Sequence, residues 1–189
     1  MDTRDRLIEA TQVLLWERGY VGTSPKAIQE RAGAGQGSMY HHFAGKSDLA
    51  LDAVRRSAAQ LRAEAEAQLS ASGTALERVS AYLRRERDVL RGCRIGRLTQ
   101  DPEIIASPAL RQPLDETFAW LRQRLAEILS EGQVRGELAA GFDPAAVAAG
   151  VTAVLQGGYV LARAAGSVEP FTAAINGLLA LLGAARNHA

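Results

Sequence analysis

Between residues 36 and 46 the chain gathers Gln36, Ser38, Tyr40, His41 and Lys46. The first four are neutral or weakly basic hydrogen-bonders, short enough to approach a phosphate oxygen or a base edge. Lys46 is a cation able to pair with a phosphate. Gly37, among them, removes a side chain where another surface could come close. Bond-making chemistry has little to work with elsewhere. The histidines are His41, His42 and His188, two in this stretch and one in the tail. Neither a metal cluster nor a Ser-His-Asp arrangement can be assembled from them. A phosphate loop and a dinucleotide fingerprint are also missing. The expectation is a binding protein, not an enzyme, with no cofactor and no metal.

The elements that must position these residues are legible nearby. Ser24-Pro25 reads as a helix start, a hydroxyl cap followed by a proline whose missing N–H costs nothing at the first helical position. The helix from Pro25 to about Ala32 carries Ala27, Ile28 and Ala32 at helical spacing. Gly33-Ala34-Gly35 breaks it, and a second short helix from about Gln36 to Phe43 buries Met39 and Phe43. Two short helices across a tight glycine turn outline a helix-turn-helix, whose second helix lies in the major groove of DNA.

This stretch resembles the TetR family of bacterial transcriptional regulators. Gly19, Thr23, Ser24, Ile28, Ala32, Gly33, Gly37, Met39, Tyr40, His42, Phe43, Lys46 and Leu49 fall in register with the family pattern. The departures are Gln29 for an alanine, Ala34-Gly35 for Val-Ser, Gly45 for Ser or Asn, and Ser47 for an acid. Gly35 removes the expected hydroxyl cap of the recognition helix. Resemblance and motif geometry together give Thr23, Tyr40, His41 and Lys46 phosphate contacts. Gln36, Gly37 and Ser38 then face base edges, with Lys26 at the groove's rim, and Ser24 also counts among the DNA-binding residues.

Bulk composition neither demands nor forbids this. The 189 residues are 47% apolar, enough for a packed core, and the net charge is only +1. Any electrostatic attraction to DNA must be local, around Lys26, the recognition helix and Lys46. One cysteine rules out an internal disulfide and fits a reducing cytoplasm. The charged N-terminus lacks a signal pattern, so the expected location is cytoplasmic. The uncharged span Ala145–Ala162 is long enough to raise a membrane question, but alanine and glycine bring little transfer energy. It is read as a buried helix, with no membrane partner.

The expected fold is all-α. An N-terminal three-helix head at residues 1–47 holds the DNA-binding motif, and residues 48–189 form a larger ligand-binding and dimerisation bundle, giving about nine helices in all. The first helix spans residues 3–18, capped by Asp2 or Thr3 and stopped at Gly19. A long helix begins at Lys46 and runs to about Ser70, roughly 36 Å. Further helices are expected from Thr74 to about Leu90, at Pro102–Ala106, from Pro108 to about Gln133, from Asp143-Pro144 to about Ala165, and from Pro170 to about Arg186. In the Thr74 helix, Leu76, Val79, Leu83 and Leu90 are expected to face inward.

The partners follow from both sources. Ala146, Ala149, Gly150, Ala153, Gly157, Val160 and Ala164 make one slim side of the 144–165 helix, suited to close helix packing. A head that reads half-sites one DNA turn apart needs a second copy. The reading is a homodimer through helices about 144–165 and 170–186, on a pseudo-palindromic double-stranded operator. The resemblance also implies a small-molecule effector in the C-terminal bundle, whose binding releases the DNA. Tyr82, Cys93, Phe118, Trp120, Gln156 and Tyr159 are the candidate lining. Thr152, Gln156, Tyr159 and Arg163 make a polar stripe that suits a ligand contact or a solvated rim equally. Two alternatives stay open: a helical receptor without DNA binding, and a thiol-based redox sensor in which the arginines around Cys93 activate it.

Overall fold

In the computed structural model, residues 2–185 are described. They form nine α-helices and no strand element: α1 (Thr3–Arg18), α2 (Pro25–Ala32), α3 (Gln36–His42), α4 (Lys46–Leu69), α5 (Ala75–Arg84), α6 (Pro102–Ala106), α7 (Pro108–Val134), α8 (Pro144–Ala165) and α9 (Glu169–Ala184). A 3-10 turn at Gly96–Gln100 precedes α6. Arg186 and His188 lie outside the described residues.

Helix starts follow the local chemistry. Asp2 caps α1 by accepting the Asp5 N–H, Ser24 caps α2 through the Ala27 N–H, and Asp143 caps α8 through the Ala145 N–H. Thr74 and Glu77 form a reciprocal capping box on α5. The far end of α5 departs from expectation: it stops at Arg84, and Arg85 is already extended at φ −54° and ψ 149°. The guanidinium of Arg87 folds back to donate to the carbonyls of Tyr82 and Arg85, taking acceptors that a continuing helix would use. Leu90, expected to face inward, is exposed.

The chain divides into two compact units. Unit 1 comprises residues 1–61 and 93–116, and unit 2 comprises residues 62–92 and 117–189. Helix α4 gives its first part to unit 1 and its last part to unit 2.

In unit 1, α1 packs on α2 and α3. Leu7, Ile8, Leu14 and Leu15 of α1 meet Ile28, Met39, Leu49 and Val54 in a common core. Arg4 pairs with Asp52 and Arg56 with Asp5, fastening α1 along the start of α4. The segment 93–116, assigned from sequence to the C-terminal part, packs here. Asp101 Oδ2 accepts the backbone N–H groups of Tyr20 (2.7 Å) and Val21 (3.0 Å), while its Oδ1 accepts those of Glu103 and Ile104. Arg97 donates to the Trp16 carbonyl, and the Arg94 guanidinium stacks 5.1 Å over the Trp16 ring.

In unit 2, α8 and α9 form an antiparallel pair, and α9 also packs on α5. Tyr82, Leu83, Leu125, Ile128, Val151, Leu155, Phe171 and Ile175 fill the interior. Arg78, buried on α5, donates through Nε to the Leu69 carbonyl (2.7 Å) and through its terminal nitrogen to Glu131 (2.7 Å). That hydrogen bond is the main reason the Glu131 carboxyl sits below the usual carboxylate range.

Candidate nucleic-acid interface

The turn between α2 and α3 is set by Gly33, whose φ of 58° and ψ of 40° lie in the left-handed region open to glycine at little cost. Its N–H returns to the carbonyls of Gln29 and Glu30, closing α2. Met39 then anchors α3, fully buried with Gln29 Nε2 at 3.5 Å from its sulfur. With Met39 inward, Gln36, Gly37, Tyr40 and His41 are exposed and Ser38 is half-buried. Tyr40 keeps 50% of its surface in solvent. An atom replacing the missing Cβ of Gly37 would meet nothing within 4 Å. The protein's own packing therefore does not call for glycine there.

Around α3 the expected contacts sort themselves. Ser24 is exposed, its oxygen occupied as the cap of α2. Lys26 stands 85% exposed with only a loose pairing to Glu30 at 3.9 Å. Lys46 Nζ lies 3.9 Å from the centre of the Tyr20 ring. Thr23 turns inward. Its side chain is buried to 1% exposure, and its hydroxyl donates to the Gly19 carbonyl at 2.6 Å. Threonine here fastens the turn after α1.

The candidate ligand residues are only partly brought together. Tyr82 and Tyr159 are joined within unit 2 by a residue the sequence reading passed over. Arg87 lies 5.7 Å over the Tyr82 ring and 3.4 Å from the Tyr159 hydroxyl. It also lies 5.6 Å over Phe171, which stacks on Tyr159 at 5.0 Å. A charged residue in an arginine-rich run gave no sign that it would turn inward. Phe118, Trp120 and Gln156 are half-buried. On the polar stripe, Thr152 is buried and bonded to the Ala148 carbonyl, whereas Arg163 is exposed. Cys93 belongs to unit 1, buried, with its sulfur accepting the Gly96 N–H at 3.3 Å. Its neighbouring arginines turn elsewhere: Arg94 and Arg97 to Trp16, Arg85 to Glu64.

A second surface stands out on α8. Ala146, Ala149, Gly150, Ala153, Val160 and Ala164 are all exposed, as is Leu161. Val160 is 64% and Leu181 on α9 is 74% exposed. By length and composition α8 could cross a membrane, with a mean hydropathy of 1.6 over its most apolar window.

Comparison with known proteins decides the lineage. Residues 7–53 match the model of the bacterial regulatory proteins of the tetR family, and residues 72–178 match that of the tetracyclin repressor-like C-terminal domain. The chain belongs to the TetR family. This TetR-family regulator is 30% identical to the transcriptional regulator AcuR of Cereibacter sphaeroides, over 75% of this chain and 68% of that one. It is 26% identical to a TetR regulatory protein of known structure from Rhodobacter sphaeroides, with a TM-score of 0.82 over 93% and 96% of the two chains. The Bacillus subtilis regulator FadR, solved with stearoyl-CoA, shares the fold at a TM-score of 0.73 and 20% identity, over 97% and 99% of the chains. As a TetR-family protein it is a helix-turn-helix transcriptional regulator, of a family that binds DNA as dimers.

Proposed function

We propose that this protein is a ligand-responsive repressor that binds a pseudo-palindromic operator as a dimer and leaves it when a small molecule binds the C-terminal bundle. The observation that carries the reading is α3: a polar face of exposed Gln36, Gly37, Tyr40 and His41 and half-buried Ser38, built on the buried Met39. Gln36, Gly37 and Ser38 face base edges. Tyr40, His41 and Lys46 take phosphates, with Ser24 and Lys26 at the rim. Functionally, residues 1–47 read DNA, and residues 48–189 bind the effector and the second copy, within the cytoplasm.

The exposed small and apolar faces of α8 and α9 support a two-fold four-helix contact. The side chains around Arg87, with Tyr82 and Tyr159, support an effector site, with Phe118, Trp120 and Gln156 as further candidates for its lining. Helix α4 belongs to both units and is the covalent route by which occupancy reaches the head. For release, the effector must bind the DNA-free state more tightly than the bound one.

The test is selection of random duplex DNA by the purified protein, followed by a salt titration of the enriched site. The reading requires an inverted repeat and an affinity falling steeply with salt. A folded dimer that enriches no sequence overturns it and leaves a helical receptor.

A further inference from the structure

A groove of about 580 Å³ lies between α5 and α9 in unit 2, and none of the residues discussed as effector lining forms it. Its α5 side carries Leu76, Ser80 and Arg84 at successive turns, and its α9 side carries Asn176, Leu179 and Ala180. The volume falls within the usual range for small-molecule sites. Leu76, Leu179 and Ala180 give it an apolar floor.

Three polar side chains at the groove can donate to a ligand: the Arg84 guanidinium, the Ser80 hydroxyl and the Asn176 amide. The side chains of Arg84, Ser80 and Asn176 make no hydrogen bond or ion pair among the described residues. The one acid at the groove, Glu77, is committed: its Oε2 accepts the N–H of Thr74 at 2.8 Å and the hydroxyl at 2.9 Å. It also sits about 10 Å along α5 from Arg84, seven residues at helical rise. Three residues beyond Arg84, Arg87 lies over Phe171 of α9, bonded to carbonyls and a tyrosine hydroxyl and to no carboxylate. Arg85 spends its charge on Glu64 and leaves a buried Nε without a partner. The Arg84 end of the groove is therefore positive, and Leu76, Leu179 and Ala180 supply apolar surface beside Ser80, Asn176 and, at the other end, Glu77. Glu86, the nearest acid in sequence, is exposed.

The groove also keeps clear of the proposed dimer contact. At 100° per residue, Asn176 and Gly183 point roughly 140–160° away from Leu181 around α9. A second copy on the Leu181 side leaves the groove open.

We propose that the α5–α9 groove is a binding site for a small monocarboxylate with an apolar body. The carboxylate sits on the Arg84 guanidinium, whose planar fork matches two oxygens at once. The Asn176 amide and Ser80 hydroxyl donate beside it, and the hydrocarbon lies against Leu76 and Leu179. The site is separate from the side chains around Arg87, Tyr82 and Tyr159.

The experiment is calorimetric titration of the intact dimer with octanoate and with 1-octanol, which differ only in the head group. Octanoate should bind at least roughly tenfold more tightly, the worth of one charge-assisted hydrogen bond. Arg84→Gln and Asn176→Ala should remove that preference, Arg84→Lys should restore part of it, and Tyr159→Phe should leave it intact. Arg84 is exposed, so its variants fold, and their thermal midpoints verify this. Equal binding of the two compounds, no octanoate binding, or a preference that survives Arg84→Gln overturns the proposal. A preference lost only in Tyr159→Phe also overturns it and moves the ligand to the interior site.

Discussion

Lys46 Nζ sits 3.9 Å from the centre of the Tyr20 ring, so the cation that opens α4 is held by an aromatic face from the loop after α1. The arrangement fixes where the charge is presented while leaving it unpaired with any acid among the described residues. A cation–π contact of this kind is worth about 0.5–1 kcal/mol at an exposed site. Lys46→Met should therefore cost little stability. It should weaken binding to every DNA sequence alike and lower the slope of log affinity against log salt by about 0.9. Titrations of specific and random duplexes at several salt concentrations test this. A change in sequence preference would count against the phosphate role.

Gly37 offers a sharper separation of folding from binding. Nothing in the protein crowds its missing side chain, and alanine is the better helix former by about 0.5–1 kcal/mol. Gly37→Ala should hold or raise the melting temperature yet lower operator affinity by about tenfold or more, equivalent to 1.4 kcal/mol. Unchanged affinity in a stabilised variant would mean that DNA does not approach α3 at this point.

The dimer contact can be broken on either helix. Val160 and Leu181 are the most exposed large apolar residues of α8 and α9. Glutamate at either position would appear twice across a two-fold axis, adding like charges to a dry contact. Val160→Glu and Leu181→Glu should sediment as monomers at micromolar concentration while keeping the helical circular dichroism of the parent. An intact dimer from both variants would place the contact on another face.

Acid should loosen unit 2 through Glu131. The hydrogen bond from Arg78 holds this carboxyl below its ordinary value of 4.5. A carboxyl lowered in the folded state contributes stability that is fully present above its unfolded value and is lost as pH falls through the folded one. Thermal midpoints should therefore drop below about pH 4.5, and Glu131→Gln should shrink the difference between neutral and acid midpoints. The same reasoning covers Glu66, lowered first by its bond from Ser70 and then by Arg124. An undiminished acid sensitivity in both Gln variants would assign it elsewhere.

Most helix starts were legible because their causes are local. Asp2, Ser24-Pro25 and Asp143-Pro144 each cap a helix within three residues of themselves. The α3 face was legible for the same reason, since burying Met39 leaves its neighbours outside. The slim side of α8 was readable as a face, and it is exposed. Features made by distant partners were not readable. The early end of α5 depends on Arg87 turning back. The closure of Thr23 onto Gly19 needs the turn to exist before the hydroxyl has a choice. Nothing near Asp101 in sequence hints at Tyr20, and Cys93 and Tyr82 are close in sequence yet fall in different units.

The clasp of Asp101 on the loop after α1 also sets an order of events during synthesis. All of α1, α2 and α3 leave the ribosome before the carboxylate that receives the Tyr20 N–H, which lies 81 residues later. At about 5–20 residues per second, the head, complete at His42, waits on the order of 3–12 s for that acceptor. Over this interval the reading helix exists on a loop whose amides are still answered by water. Full ordering of the loop after α1 should therefore arrive with the emergence of residue 101 and not with the last residue of α3, and a fragment ending at residue 61 should exchange its Tyr20 and Val21 amides faster than the whole chain does.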